Sequence, residues 1–209
     1  MKKIILLGTV LFVLNGFVNA QDAVKVVTVG KQIWTVENLN TSTFRNGDSI
    51  PQALSDSDWA KAARNHKPAW CYYMGNPVNG KIYGRLYNWY AVNDKRGLAP
   101  KGWHVPTDME WNKLVEFLGG YKTADIKLKS KVSWDGDGNG DNSTGFAGIP
   151  SGQRIVRLGF MGLGNIACFW AANKKDNDEA YYFPLTKHGD TANPSYSKSA
   201  GFAVRLIKN

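Results

Sequence analysis

Two cysteines and three histidines are all that the 209-residue sequence offers of those types, and beyond residue 20 no apolar run is long enough to cross a bilayer, which takes roughly 20 residues. Each shortage excludes something. With Cys71 and Cys168 as the whole thiol complement, one intrachain bridge is the most the chain can make. His66, His104 and His188 stand far apart and none lies beside a nucleophile motif, so the case for catalysis is thin. The lysines and arginines are scattered, which argues against a nucleic-acid surface. No linker, low-complexity tract or internal repeat divides the chain, and its length suits a single domain.

What the sequence does contain begins with an export signal. Lys2 and Lys3 precede an apolar stretch over residues 4–18 broken only by Gly8, Thr9, Asn15 and Gly16, and Val18-Asn19-Ala20 places small residues around a cut before Gln21. Residues 1–20 are therefore expected to be a cleaved signal peptide and residues 21–209 one secreted, periplasmic or cell-surface domain. Losing Lys2 and Lys3 takes the formal charge from +9 to +7. The first cysteine after the cut is Cys71, too far downstream for a lipid anchor, so the product is expected to be neither a lipoprotein nor an integral membrane protein. An oxidising destination leaves two readings of the cysteines. A Cys71–Cys168 bridge would contribute about 4–5 kcal/mol by the loop-entropy estimate, and two buried thiols would act as small apolar groups.

Local patterning predicts strands at 24–29 and 32–36 around a Gly30-Lys31 turn, then a loop over 38–50. A short helix is expected at 56–64, with Ser55 as N-cap and Trp59, Ala62 and Ala63 facing inward. The best-defined helix follows Pro106: Thr107 and Glu110 have capping-box spacing, Trp111, Leu114, Val115 and Leu118 form one apolar face, and Gly119-Gly120 ends it. Lys127, Lys129 and Lys131 alternate at period two, which predicts three solvated ammonium groups on one face of an extended segment. Further strands are expected at 154–158, 166–172, 180–185 and 202–207. Frequent glycine and eight tryptophans with little helix indicate an irregular α+β domain with an aromatic core.

Several segments resemble a known family in content and order. They are Gly30-Lys31-Gln32-Ile33-Trp34 with Glu37-Asn38-Leu39, then Tyr83-Gly84-Arg85-Leu86-Tyr87-Asn88-Trp89-Tyr90, then Ala99-Pro100-Lys101-Gly102-Trp103-His104-Val105-Pro106-Thr107-Asp108 with Glu110-Trp111. Gly145-Phe146, Phe169-Trp170 and the closing Gly201-Phe202-Ala203-Val204-Arg205 complete the set. Together they resemble the Fibrobacter succinogenes major paralogous domain, a family of exported proteins, over nearly all of the mature chain. The Val-Pro-Thr-Asp-x-Glu-Trp and Gly-Phe-x-Val-Arg segments are also similar to the formylglycine-generating-enzyme group. That likeness implies a C-type-lectin-like domain with two short helices, small twisted antiparallel sheets, and a terminal strand at 202–206 paired with the opening hairpin. Family members often carry a cysteine after the closing Val-Arg; here Leu206 stands there.

Candidate chemistry is sparse. Asp135-Gly136-Asp137-Gly138-Asn139-Gly140-Asp141 matches the first half of a calcium loop, with Asp135, Asp137, Asn139 and Asp141 as ligands, but the twelfth position is Phe146 rather than a bidentate Glu. The alternative is a solvated Asp/Asn/Gly turn. His104 is expected to be a packed, hydrogen-bonded ring, and Asp108 and Glu110 to serve the helix terminus. Gly162-Leu163-Gly164-Asn165-Ile166-Ala167 imitates a dinucleotide fingerprint but reads as a turn into a strand. Trp70, Tyr72, Tyr73, Tyr87, Trp89 and Tyr90 are dense enough to put some rings at the surface for a glycan or a protein partner, with core packing the rule for most. The expectation is a non-catalytic binding module that needs no cofactor, apart from the calcium option. The alternatives are a thiol-dependent oxidoreductase using Cys168 or Cys71, as the formylglycine likeness implies, and a structural component of a surface assembly.

Overall fold

β-Branched residues on either side of Gly30-Lys31 fold into a hairpin of β1 (Val26–Val29) and β2 (Gln32–Thr35), with Gly30 at φ 61°, the left-handed conformation a two-residue turn requires. The structure, a computed structural model, describes residues 24–189 and 195–209; the expected signal peptide lies outside the described residues. After a loop, α1 (Asp56–Arg64) starts at a capping box in which Ser55 accepts from the Asp58 amide and the Asp58 carboxylate reaches back. Its Trp59 is buried and donates to the Ser199 carbonyl, while Ala62 and Ala63 are half-buried.

The middle of the chain is built of short pieces: β3 (Trp70–Cys71), α2 (Pro77–Tyr83), β4 (Leu86–Tyr87), α3 (Trp89–Val92) and β5 (Trp103–His104). Then α4 (Asp108–Leu118) closes its capping box through Thr107 and Glu110. It buries Trp111, Leu114, Val115 and Leu118 and ends at Gly119 with φ 95°, and α5 (Tyr121–Leu128) follows. The second half is mostly sheet: β6 (Ser151–Ile155), β7 (Gly159–Leu163), β8 (Ile166–Lys174), β9 (Glu179–Thr186), β10 (Ser195–Ser197) and β11 (Ile207–Lys208).

Three sheets result among the described residues, in the orders β1-β2-β11-β5, β10-β9-β8-β6-β7 and β3-β4, antiparallel throughout except where β6 meets β8. The expected α+β class is the one observed. No helix among the described residues is long and apolar enough to cross a membrane.

Aromatic rings fill two main cores. One gathers Trp34, Trp111, Phe146, Phe169 and Phe183, with Trp111 and Phe183 stacked at 4.5 Å and 9°. The other holds Tyr87, Trp89, Trp170 and Phe202, with Trp170 and Phe202 at 4.3 Å. Of the six candidate surface rings, Trp70, Tyr73, Tyr87 and Trp89 are buried and Tyr72 and Tyr90 are half-buried.

Four buried cations among the described residues bind main-chain carbonyls. Arg205 donates to the carbonyls of Thr35, Phe146 and Ala147 and lies over the Phe146 ring. Lys129 reaches those of Thr186 and Lys187, Lys198 those of Asp176 and Asn177, and Arg154 that of Ser55. Each also faces an aromatic ring: Trp134 for Lys129, Trp89 for Lys198, and Trp59 and Phe160 for Arg154.

Three expectations need correction. Five helices stand among the described residues rather than two, because α2 starts at an Asn76 cap with Pro77 in its first turn and α3 is a single turn capped by Asn88. The closing strand is split: Phe202 bridges Tyr87, Ala203 bridges Phe169, and only Ile207 and Lys208 form a strand, against β2 and β5. Residues 202–205 cross the core between sheets, so each finds a different partner. The period-two lysines do not share a solvated face, since α5 runs through Leu128 and turns the Lys129 side chain, 4% exposed, into an ion pair with Asp125 at 2.7 Å.

Candidate functional site

A groove of about 840 Å³ lies where the hairpin, the 38–41 segment and β5 meet. Its floor is apolar, formed by Leu39, Pro100, Trp103 and Leu206, and its rim is polar, formed by Lys25, Glu37, Asn40 and Thr41. These come from three stretches far apart in sequence, and each belongs to or adjoins a motif described above: Glu37-Asn38-Leu39, the Pro100 to Trp103 run, and the residue after Val204-Arg205.

The 38–41 segment is held from behind. Asn38 donates to the Tyr83 carbonyl at 2.9 Å and accepts from Arg205 Nε at 2.6 Å, and the Leu39 amide donates to Val204. Asn40 donates to the Gly80 carbonyl and accepts from Arg85 Nη1 at 2.7 Å; Arg85 Nη1 also donates to the Asn40 carbonyl. The Arg85 guanidinium sits 4.1 Å over Trp70, and its Nη2 donates to the Tyr72 hydroxyl. Tyr72 can take that position because residue 80 is glycine: a Cβ there would lie 2.2 Å from the ring. Thr41 is fixed through its carbonyl, which accepts from Tyr87 at 2.6 Å, and burial pushes that phenol far above its ordinary pKa. Lys25 and Glu37 pair at 2.9 Å across the rim, in water, where such a pair contributes about 0–1 kcal/mol. The result is a half-exposed indole beside amide, hydroxyl and carboxylate groups with restricted freedom, an arrangement suited to recognition.

The residues singled out from sequence lie elsewhere. Asp135 accepts from Asn165 at 2.7 Å, Asp137 projects into solvent 3.8 Å from Lys187, Asn139 accepts from the Trp134 amide and Asp141 from the Ser143 amide. Their oxygens are spent in separate directions, as in the turn alternative. Among the described residues no group of three or more His, Cys, Asp or Glu side chains is placed to hold a metal ion.

Cys71 and Cys168 are free, buried thiols in different apolar clusters, Cys71 on β3 and Cys168 on β8, so the bridge is not formed. Burial pushes Cys71 up to about 11, against a smaller pull from the neighbouring Arg154, and raises Cys168 as well. His104 bonds Asn209 through Nδ1 and Glu110 through Nε2, His66 stacks on Tyr90, and His188 is exposed. The 162–167 segment is the β7–β8 turn. Arg85 and Arg205 were missed as positioning residues, although both stand inside the motifs quoted above.

Residues 27–208 match the model of the family described as the Fibrobacter succinogenes major domain. No curated protein and no solved structure matches the chain.

Proposed function

Because the chain belongs to the Fibrobacter succinogenes major domain family, we propose that it is an exported, non-catalytic binding module of the periplasm or cell surface, whose ligand, a glycan or a surface protein, lies in the groove over Trp103. The observation that carries this reading is the convergence of separate family motifs on one groove with an aromatic floor and a pre-positioned polar rim. The signal-like residues 1–20 support the export. A C-type-lectin-like scaffold belongs to the same reading, and the pairing of β11 with β2, which joins the opening hairpin and the closing strand in one sheet, supports it. Against thiol chemistry stand the burial of both sulfurs and the upward shift of both thiols, which leaves little thiolate at neutral pH.

The test is a glycan and protein binding screen on the purified protein, repeated with Trp103→Ala and with Trp103→Phe. Loss of about tenfold or more in affinity for a hit in the alanine variant, with partial retention by phenylalanine and an unchanged melting temperature, is expected of a ring that contacts ligand. Hits that bind the alanine variant as tightly as the wild type would remove the groove from the proposal. Sizing the same samples separates ligand binding from self-assembly.

A further inference from the structure

A second groove, of about 460 Å³, lies between the β6–β7 turn and β10, on residues that the Trp103 groove does not share. Its apolar wall includes Ile155, and the half-buried ring of Tyr196, packed against Tyr182 and Phe202, lines it. Two oppositely charged residues line the same space without pairing: Arg157 and Glu179 make no salt bridge with each other.

Their commitments differ. Glu179 is fixed through Oε2, which accepts from Lys175 at 3.0 Å and from Ser195 at 2.7 Å, while its Oε1 takes no hydrogen bond among the described residues. Those two donors hold its carboxyl below the ordinary glutamate range, so it is an ionised acceptor at neutral pH. The Arg157 guanidinium makes no hydrogen bond, ion pair or ring contact among the described residues, and its own backbone sits at φ 72°, at the tip of the turn. The hydroxyls of Ser197 and Ser199, 2.8 Å apart, line the same space.

With Glu179 already neutralised by Lys175, the uncompensated charge of the groove is the guanidinium. Arginine presents a planar fork that meets a carboxylate or sulfate through two parallel bonds. An ionised acceptor with a vacant oxygen and two serine hydroxyls suit a ligand rich in hydroxyl donors, and a tyrosine ring suits its C–H surface. A simple anion would use only the first of these groups and a neutral sugar only the others. We infer that this groove is a binding site for an acidic saccharide, a sugar ring carrying a carboxylate or sulfate, with Arg157 on the anion and Glu179, Ser197 and Ser199 on the hydroxyls. The positive formal charge of the chain favours the approach of such a ligand.

D-Glucuronate, glucose 6-sulfate, D-glucose and acetate serve as probes in calorimetric titrations of the purified protein. Glucuronate or the sulfated sugar is expected to bind about tenfold or more tightly than either glucose or acetate, and to weaken as salt rises. Arg157→Asn is the variant of choice because asparagine tolerates the left-handed backbone. It should abolish the preference for the charged sugar while the melting temperature holds, and Arg157→Lys should retain part of it. Trp103→Ala should leave the binding unchanged, so failure at one groove does not decide the other. Equal affinity for acetate, unchanged binding in Arg157→Asn, or no heat from either charged sugar at tens of millimolar would each overturn the assignment.

Discussion

Arg205→Met tests what holds the centre of this fold. Arg205 is fully buried, and its donors meet Asn38 Oδ1 at 2.6 Å and the carbonyls of Thr35, Phe146 and Ala147 at 2.9, 2.8 and 3.1 Å. Burial lowers its pKa to about 9, which leaves the guanidinium charged at neutral pH. Methionine fills much of the same volume without charge, so two effects compete. Removing the cation relieves a desolvation cost of several kcal/mol, and it leaves four buried acceptors without a donor, at about 1–3 kcal/mol each. The acceptors win, because they belong to two segments far apart in sequence, 35–38 and 146–147, that cannot both move to find other partners. A net loss of about 3–5 kcal/mol is expected, a large share of a domain's usual stability of about 5–15 kcal/mol. In urea unfolding followed by tryptophan fluorescence, with an m-value of about 2 kcal/mol/M, the midpoint should fall by roughly 2 M. Arg205→Lys, which keeps the charge with fewer donors in a different geometry, should lose less. A methionine variant within about 1 kcal/mol of wild type would show that the desolvation cost cancels the bonds and would refute the reasoning.

Other expectations are quicker to check. Gly80→Ala places a methyl group inside the Tyr72 ring and should cost about 1–3 kcal/mol; because it displaces the ring that supports Arg85 and Asn40, it should also weaken any ligand of the Trp103 groove, measured by calorimetry. Burial works against ionisation of Glu110, but the Thr107 amide and the His104 ring outweigh it and hold the carboxyl below the ordinary glutamate range. Its stabilising contribution is therefore complete above the unfolded-state pKa and is lost as pH falls through the folded one, so Glu110→Gln should lower the melting temperature at pH 7 and flatten its fall on acidification. A thiol reagent should find no reactive sulfur in the native protein and two after denaturation without reductant; a rapidly reacting native thiol would revive the oxidoreductase reading. Millimolar calcium should leave the melting temperature unchanged, since Asp135, Asp137, Asn139 and Asp141 are turned apart.

Where a segment carries its own instructions, sequence reading located it well. The Ser55 N-cap and the Thr107 capping box placed α1 and α4, Gly119 ended α4, and the Gly30-Lys31 turn placed the hairpin, each through interactions spanning a few residues. The helices that escaped notice carry weaker signals: α2 has its Asn76 cap and Pro77 but a glycine at its centre, α3 is a single turn on the Asn88 cap, and α5 follows Gly120 without a side-chain cap. Lys129 looked solvated because its carboxylate, carbonyl and ring partners are set partly by a strand nearly sixty residues away. The Trp103 groove was invisible for a related reason. Its walls come from the two ends and the middle of the chain, and no local period records that they meet. The motif residues were in view, but their convergence is a tertiary fact.

The oxygens that accept from Lys129, Arg154, Lys198 and Arg205 are mainly main-chain carbonyls, which every amino acid supplies. The clamps therefore read the path of a loop and not its side chains. Substitutions at the accepting positions that keep the local backbone should leave the clamps intact, so the outward faces of residues 177 and 187 are open to redesign. A library randomised there is a route to new surfaces on an unchanged frame, as long as the four cations stay in place.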